Sequence, residues 1–178
     1  MTRDRLRSAS RADSANTNQP ARPDAACSAV IAAPFGAFGI VTSDACIQEL
    51  LFLPPDTPLR APANELTVHA VEQILRWIED PDTRFDLPLA ARGTPFQQRV
   101  WEGIRAVPRG DVQTYGQLAT QIRSAARAVG QACGANPFPL VTPCHRIVSK
   151  SGLGGFAGAS DGYLIDAKRW LIAHEARR

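Results

Sequence analysis

The sequence predicts an α/β N-terminal module, a small antiparallel β-ribbon with one helix, followed by a mainly α C-terminal module carrying a helix-turn-helix. Three observations predict this. Residues 28–54, SAVIAAPFGAFGIVTSDACIQELLFLP, alternate short apolar runs with Gly, Pro and Ser-Asp breaks, as short strands joined by tight turns do. From residue 94 onward, apolar residues recur at helical spacing. Within that stretch, two short helical segments are separated only by Arg123 and Ser124, the outline of a helix-turn-helix. The expected divisions are 1–25, 26–91 and 92–178.

Residues 1–25 are rich in Arg, Ser, Asp, Asn and Ala and nearly free of large apolar side chains. Such a segment cannot bury enough surface to offset its ordering entropy, so it is expected to be a disordered tail. It has no apolar core of a secretory signal, and no run in the chain reaches membrane-spanning length. Strands are expected near 28–32, 37–42 and 46–53, with a turn at Pro34–Gly36. The spacing of Leu66, Ala70, Ile74, Trp77 and Ile78 predicts a helix over 64–80, capped by Asn64 and ended by Pro81. A second helix opens with Thr94 as cap and Pro95 in the first turn, and its stripe is Phe96, Val100, Trp101 and Ile104. Residues 114–122 and 125–134 form the two short helices. Residues 135–150, punctuated by Pro, are expected to be extended, and a Gly-rich loop follows to Tyr163. The final helix presents Leu164, Ala167, Trp170, Leu171 and His174 as its apolar face.

The net charge of +3 is unevenly spread. The tail carries five Arg and three Asp; residues 26–111 carry seven basic and eleven acidic groups; residues 112–178 carry eight basic and three acidic groups. The balance is therefore +2, −4 and +5. A basic C-terminal third suits a polyanionic partner, although a solvated basic face reads the same way on charge alone. The four cysteines, Cys27, Cys46, Cys133 and Cys144, form no C-x-x-C pair. A reducing cytoplasm and free thiols are expected.

Cys144 lies directly before His145 in the run VTPCHRIV. A thiol attacks as thiolate and needs a base or cation to form it at neutral pH. His145 is one candidate base, and Glu175, near the end of the last helix, can orient it. On an extended segment adjacent side chains point to opposite sides, so a direct Cys144–His145 hydrogen bond would be awkward and a turn or bridging water would be required. For an isolated Cys-His pair, the bland alternative is a small buried thiol beside a satisfied histidine.

The string ARAVGQACGANPFPLVTPCHRIV, together with GTPFQxxVW, TYGxLA and KRWLIAHE, resembles the O6-alkylguanine-DNA alkyltransferases, also called methylated-DNA–protein-cysteine methyltransferases. The motifs occur in that family's order and cover roughly residues 28–175. The resemblance implies DNA repair by irreversible, single-turnover transfer of an alkyl group from O6-alkylguanine, or O4-alkylthymine, to Cys144. It places His145 as the base acting through water, Glu175 as its orienter and Asn136 as the brace of the turn. Tyr115 falls where a phenol approaches the flipped base and the adjacent phosphate. Arg127 falls where an arginine replaces the extruded nucleotide in the stack, since a base inside a duplex cannot be reached. Thr114, Tyr115, Arg127, Ala128 and Gly130 are the expected DNA-facing residues, and Pro139, Ile147, Phe156 and Ala157 the expected pocket lining. The expected partner is double-stranded DNA met through its minor groove by a monomeric, cytoplasmic chain with no cofactor and no membrane contact.

Two features depart from the family pattern. The loop over 158–168 is a few residues longer than expected, which bears on the alkyl groups that fit. Cys27 and Cys46 are nineteen apart, as in members that hold a structural zinc, but the partner histidines are missing: Leu51 stands at one position, LAARGTP lacks the other, and His69 alone is spare. No metal is expected, and the two cysteines are expected to be buried on adjacent strands. Three rival readings stay open: a recognition protein that binds alkylguanine without repair, a cysteine hydrolase using Cys144 and His145, and a plain helix-turn-helix regulator. Cys144 argues against the first. The second would leave the helix-turn-helix idle, and AARAVGQACG offers few base readers for the third.

Overall fold

The computed structural model describes residues 26–177, and the tail expected over 1–25 lies outside them. Three strands, β1 (Ala29–Ala33), β2 (Gly36–Thr42) and β3 (Ile47–Leu53), form an antiparallel sheet in the order β1-β2-β3. Ala29 faces Ile40, and Phe38 faces Phe52, with a bulge between Val41 and Thr42. Helix α1 (Glu65–Glu79) packs on β1 and β2, and its N-terminus is closed by Asn64, whose side chain accepts from Thr67 N at 2.8 Å. Its buried face is Thr67, Ala70, Gln73, Ile74 and Trp77.

The second half holds α2 (Pro95–Arg105), α3 (Tyr115–Gln121), α4 (Ala126–Gly134) and α5 (Gly162–Glu175). Thr94 caps α2 through a reciprocal pair of hydrogen bonds with Gln97, and Pro95 sits in the first turn, where its missing N–H leaves no bond unmade. Thr114 and Gln117 close α3 in the same way. The link between α3 and α4 turns at Arg123, which holds a left-handed φ of 54°, while Ser124 N donates to Ala119 O at 2.8 Å. α2 buttresses α4 through Trp101, whose indole N–H donates to Ala132 O at 2.9 Å.

Two corrections follow. Of residues 135–150, expected to be extended, only Ile147–Val148 form a strand; Cys144–Arg146 form one turn of 3-10 helix. Asn136 is the cause, because it binds backbone groups on both sides of the segment and folds it onto itself. The buried face of α5 matches the expected one only at Ala167, Leu171 and His174. Ile165, Ala167, Lys168, Leu171, His174 and Glu175 are buried, whereas Leu164 and Trp170 are only partly so. The charged members of that face go inside because each finds partners there.

Two short contacts place the 3-10 turn. The strand β4 (Gln113–Thr114), just before α3, pairs in parallel with β5 (Ile147–Val148), just after the thiol. From the other half, Leu50 N on β3 donates to Pro137 O at 2.9 Å. One apolar core runs through both halves, from Phe38 and Ile74 to Ile104, Val129, Ile147 and Leu171. Burying each such side chain stabilises the fold by about 1.5–3 kcal/mol.

Candidate active site

Cys144 is 6 % exposed and lines a cavity of about 320 Å³. Tyr115 at the start of α3, Gly130 and Cys133 on α4, and the loop residues Phe156 and Ala157 line it as well. Pro139 and Ile147, expected in the lining, are buried and do not reach the cavity. Ile147 serves instead through β5 and through its carbonyl, which accepts from Lys168. Ala157 holds a left-handed φ of 48°, a conformation costing a non-glycine residue about 1 kcal/mol. The fixed loop around it absorbs that cost: Phe156 and Ala159 exchange two backbone hydrogen bonds of 2.9 Å. Gly154 is needed in the same loop, since at φ 69° a Cβ there would lie 3.0 Å from Ser149 N and 3.1 Å from the Tyr115 ring.

The thiol is held by its turn. Asn136 Nδ2 donates to Thr142 O at 2.8 Å and reaches Cys144 Sγ at 3.4 Å, while its Oδ1 accepts from Phe138 N at 3.0 Å. Burial raises the Cys144 pKa, against the Asn136 hydrogen bond and the Lys168 cation, which lower it. The resting group is therefore a thiol that needs a base. Burial lowers the His145 pKa, with Glu175 pulling the other way, so the imidazole is neutral near pH 7 and able to accept a proton.

His145 is 1 % exposed and Glu175 2 %. Nε2 of His145 lies 3.0 Å from Oε1 of Glu175, although the contact is bent outside hydrogen-bond geometry. Charge attraction survives such a bend better than a hydrogen bond does. The straight partner of Glu175 is Arg146, whose Nε and Nη2 donate to the two carboxylate oxygens at 2.8 and 2.9 Å. Burial pushes the Glu175 pKa up, but His145 and Arg146 overcome it and bring it down to about 2. No hydrogen bond joins His145 directly to Cys144 among the described residues.

Lys168 was not singled out by the sequence, nor was Arg146. Lys168 is fully buried, and Nζ donates to the carbonyls of Ile147, Leu153 and Gly155 at 2.7, 2.7 and 2.9 Å. It thus ties the segment after the thiol to the pocket loop and places a cation near both pocket thiols. Burial lowers its pKa to about 8. A signal was present: Lys168, Leu171 and Glu175 share one helix face at helical spacing. The second pocket thiol, Cys133, has its pKa raised to about 12 by burial and then by Cys144, so it stays protonated.

Tyr115 donates its hydroxyl to Gly155 O at 3.1 Å, and burial raises its pKa to about 12. The phenol keeps its proton at neutral pH. Thr114 is occupied as the cap of α3. Arg127 is exposed on the first turn of α4, with no partner among the described residues, and Ala128 beside it is partly exposed. A Cβ on Gly130 would meet nothing nearer than the Tyr115 ring at 4.0 Å, so internal packing does not demand glycine there. Cys27 and Cys46 are not on adjacent strands: they precede β1 and β3, which β2 separates. Cys46 is also only half-buried, with Gln48 Nε2 at 3.1 Å from its sulfur.

A family model described as 6-O-methylguanine DNA methyltransferase, DNA binding domain, matches residues 95–177. A methylated-DNA–protein-cysteine methyltransferase of Salmonella typhimurium is 50 % identical over 92 residues, covering 50 % of this chain and 51 % of the relative. The chain thus spans about half the length of that relative. The crystal structure of a Mycobacterium tuberculosis O6-methylguanine methyltransferase is 32 % identical, with a TM-score of 0.68, over 83 % of this chain and 90 % of the other. The structure of a Mycobacterium tuberculosis OGT in complex with DNA is 35 % identical, with a TM-score of 0.68, over 83 % and 91 %.

Proposed function

The chain belongs to the methylated-DNA–protein-cysteine methyltransferase family, and from that premise we propose that it repairs DNA by moving the alkyl group of O6-alkylguanine, or of O4-alkylthymine, onto Cys144. The observation that carries this is a buried cysteine at the edge of a base-sized cavity, beside a neutral histidine backed by an anionic glutamate. His145 takes the thiol proton through a bridging water. Sγ then attacks the alkyl carbon as the bond from that carbon to O6 breaks, and the departing guanine takes a proton delivered by Tyr115. Glu175 stabilises the imidazolium that forms, and Asn136 keeps Sγ aimed. The thioether product is too stable for water to reverse, so each chain acts once.

In this reading residues 92–178 carry DNA binding and chemistry, and residues 26–91 buttress them. α3 and α4 act as a helix-turn-helix that enters the minor groove, with Thr114 and Tyr115 near the phosphates. Arg127 fills the gap left by the flipped nucleotide, and the small Ala128 and Gly130 allow close approach. The protein acts as a cytoplasmic monomer. The test is the intact mass of the protein before and after incubation with duplex DNA holding one O6-methylguanine. A gain of one methyl group per chain is expected. Trypsin leaves Cys133 and Cys144 on one peptide, 128–146, so fragmentation must place the group on Cys144. Methyl on Cys133, or many turnovers per chain, would overturn the proposal.

A further inference from the structure

We propose that Phe52, on β3 of the N-terminal sheet, is a positioning residue that sets the width of the alkyl pocket by backing its wall, Phe156. The inference rests on the reading of Cys144 as alkyl acceptor and names what limits the group it accepts. Phe156 is 4 % exposed and lines the cavity beside Cys144. Behind it the Phe52 ring sits with its centroid 5.1 Å away at 57°. Phe52 is held in turn by Phe38 at 5.1 Å and Phe35 at 5.4 Å, both edge-on. Phe35 also meets Trp170 of α5 at 5.3 Å. The pocket wall therefore leans on an aromatic block built by the sheet, over one hundred positions away in sequence.

The loop alone does not hold that wall. Its backbone is tied by Lys168 at Leu153 and Gly155 and by the hairpin pair of Phe156 with Ala159. Those bonds fix the main chain and leave the ring free to swing away from Cys144 unless something fills the space behind. Lys168 Nζ, 5.9 Å from the ring, limits one direction, and Phe52 limits another. Interior packing is dense enough that the loss of one ring behind a wall moves the wall. A truncated Phe52 should let Phe156 retreat and admit a bulkier group.

The experiment compares alkylation of Cys144 by a small and a bulky reagent. One pair is duplex DNA carrying O6-methylguanine or O6-benzylguanine. The other is iodoacetamide and its N-phenyl derivative, in which the thiolate displaces iodide without any DNA. Fragmentation confirms Cys144 as the site in every case. In Phe52→Ala the bulky-to-small rate ratio should rise about tenfold with both pairs, the selectivity that one methylene's worth of space can decide. Phe52→Leu, which keeps more of the packing, should move the ratio the same way by less. Phe38→Leu removes a ring that holds Phe52 rather than one stacked against Phe156, and should move the ratio by less than Phe52→Leu does. An unchanged ratio in folded Phe52 variants, or an equal rise in Phe38→Leu, overturns the proposal. If neither DNA alkylates Cys144 while the iodoacetamide ratio still rises, the alkyl-transfer reading falls and the Phe52 wall stands.

Discussion

Glu175 and Arg127 are both charged residues on helices of the same half of the chain, and they are treated in opposite ways. Glu175 is 2 % exposed, and both its oxygens are taken, by Arg146 on one side and by Arg146 and His145 on the other. Arg127 is exposed, and nothing among the described residues holds it. In the proposed function, the chemical side of the site is built from buried charges that complete one another before any substrate arrives, and the recognition side keeps the Arg127 charge open for duplex DNA. Changes on the first side should therefore alter stability and pH response, and changes on the second should alter the response to duplex DNA alone.

The sharpest break of that comparison is Glu175→Gln. The carboxyl has its pKa lowered from an ordinary 4.5 to about 2. Its contribution to stability is therefore fully present above pH 4.5 and lost as pH falls toward 2, and it amounts to about 3 kcal/mol. Urea unfolding across that window should show the loss in the parent and a flat response in the variant. Alkyl transfer should slow more than about tenfold, because the imidazolium loses its counter-charge, while affinity for duplex DNA should hold. Equal loss of rate and DNA affinity in a folded variant would make Glu175 structural.

Arg127→Ala addresses the other side. If Arg127 offsets the unstacking of the flipped nucleotide, its removal should slow repair of duplex DNA by roughly thirtyfold, about 2 kcal/mol of the few that flipping costs. Reaction with free O6-benzylguanine, which needs no flipping, should change little. Both rates are read in the same variant, so a folding defect would depress both. Equal depression in a demonstrably folded protein would remove Arg127 from the flipping step.

What the sequence disclosed follows the same division. Elements written by local chemistry were legible: the hairpin turn after Pro34, the Asn64 and Thr94 caps, and the tight link at Arg123 all occur where spacing and capping rules place them. Cys144, His145 and Glu175 were raised by thiol and triad chemistry and given their roles, with Asn136, by the family resemblance; Asn136 reaches Cys144 and Glu175 meets His145 in space. The turn over 136–146 was misread, because three prolines signal extension and a single Asn side chain bending the backbone leaves no periodic trace. Lys168 was missed for a related reason. A pattern reader places lysine outside, and only the fold shows three carbonyls converging on its ammonium. Phe52 has no signal at all in sequence, since its importance lies in a ring contact across the two halves.

The smallest expected effect tests whether Lys168 truly belongs with the buried charges. Its pKa is lowered by burial from 10.5 to about 8, so above pH 8 the folded chain gives up a proton that the unfolded chain keeps. Where the unfolded state binds more protons, stability rises with pH. The pocket thiols act in the opposite sense: their pKa values are raised above 9, so the unfolded chain loses protons first once pH passes 9. Lysine alone therefore raises stability by about 1 kcal/mol from pH 8 to 9, since one pH unit cannot contribute more than about 1.4 kcal/mol per proton, and the onset of thiol ionisation leaves a smaller net climb. Beyond that interval the two thiols should turn the curve down. Lys168→Met keeps a similar shape without the charge, and in urea unfolding it should lose the climb from pH 8 to 9 and keep the decline above. A climb that persists in Lys168→Met would assign it to another group and return Lys168 to the role of a neutral tie on the pocket loop.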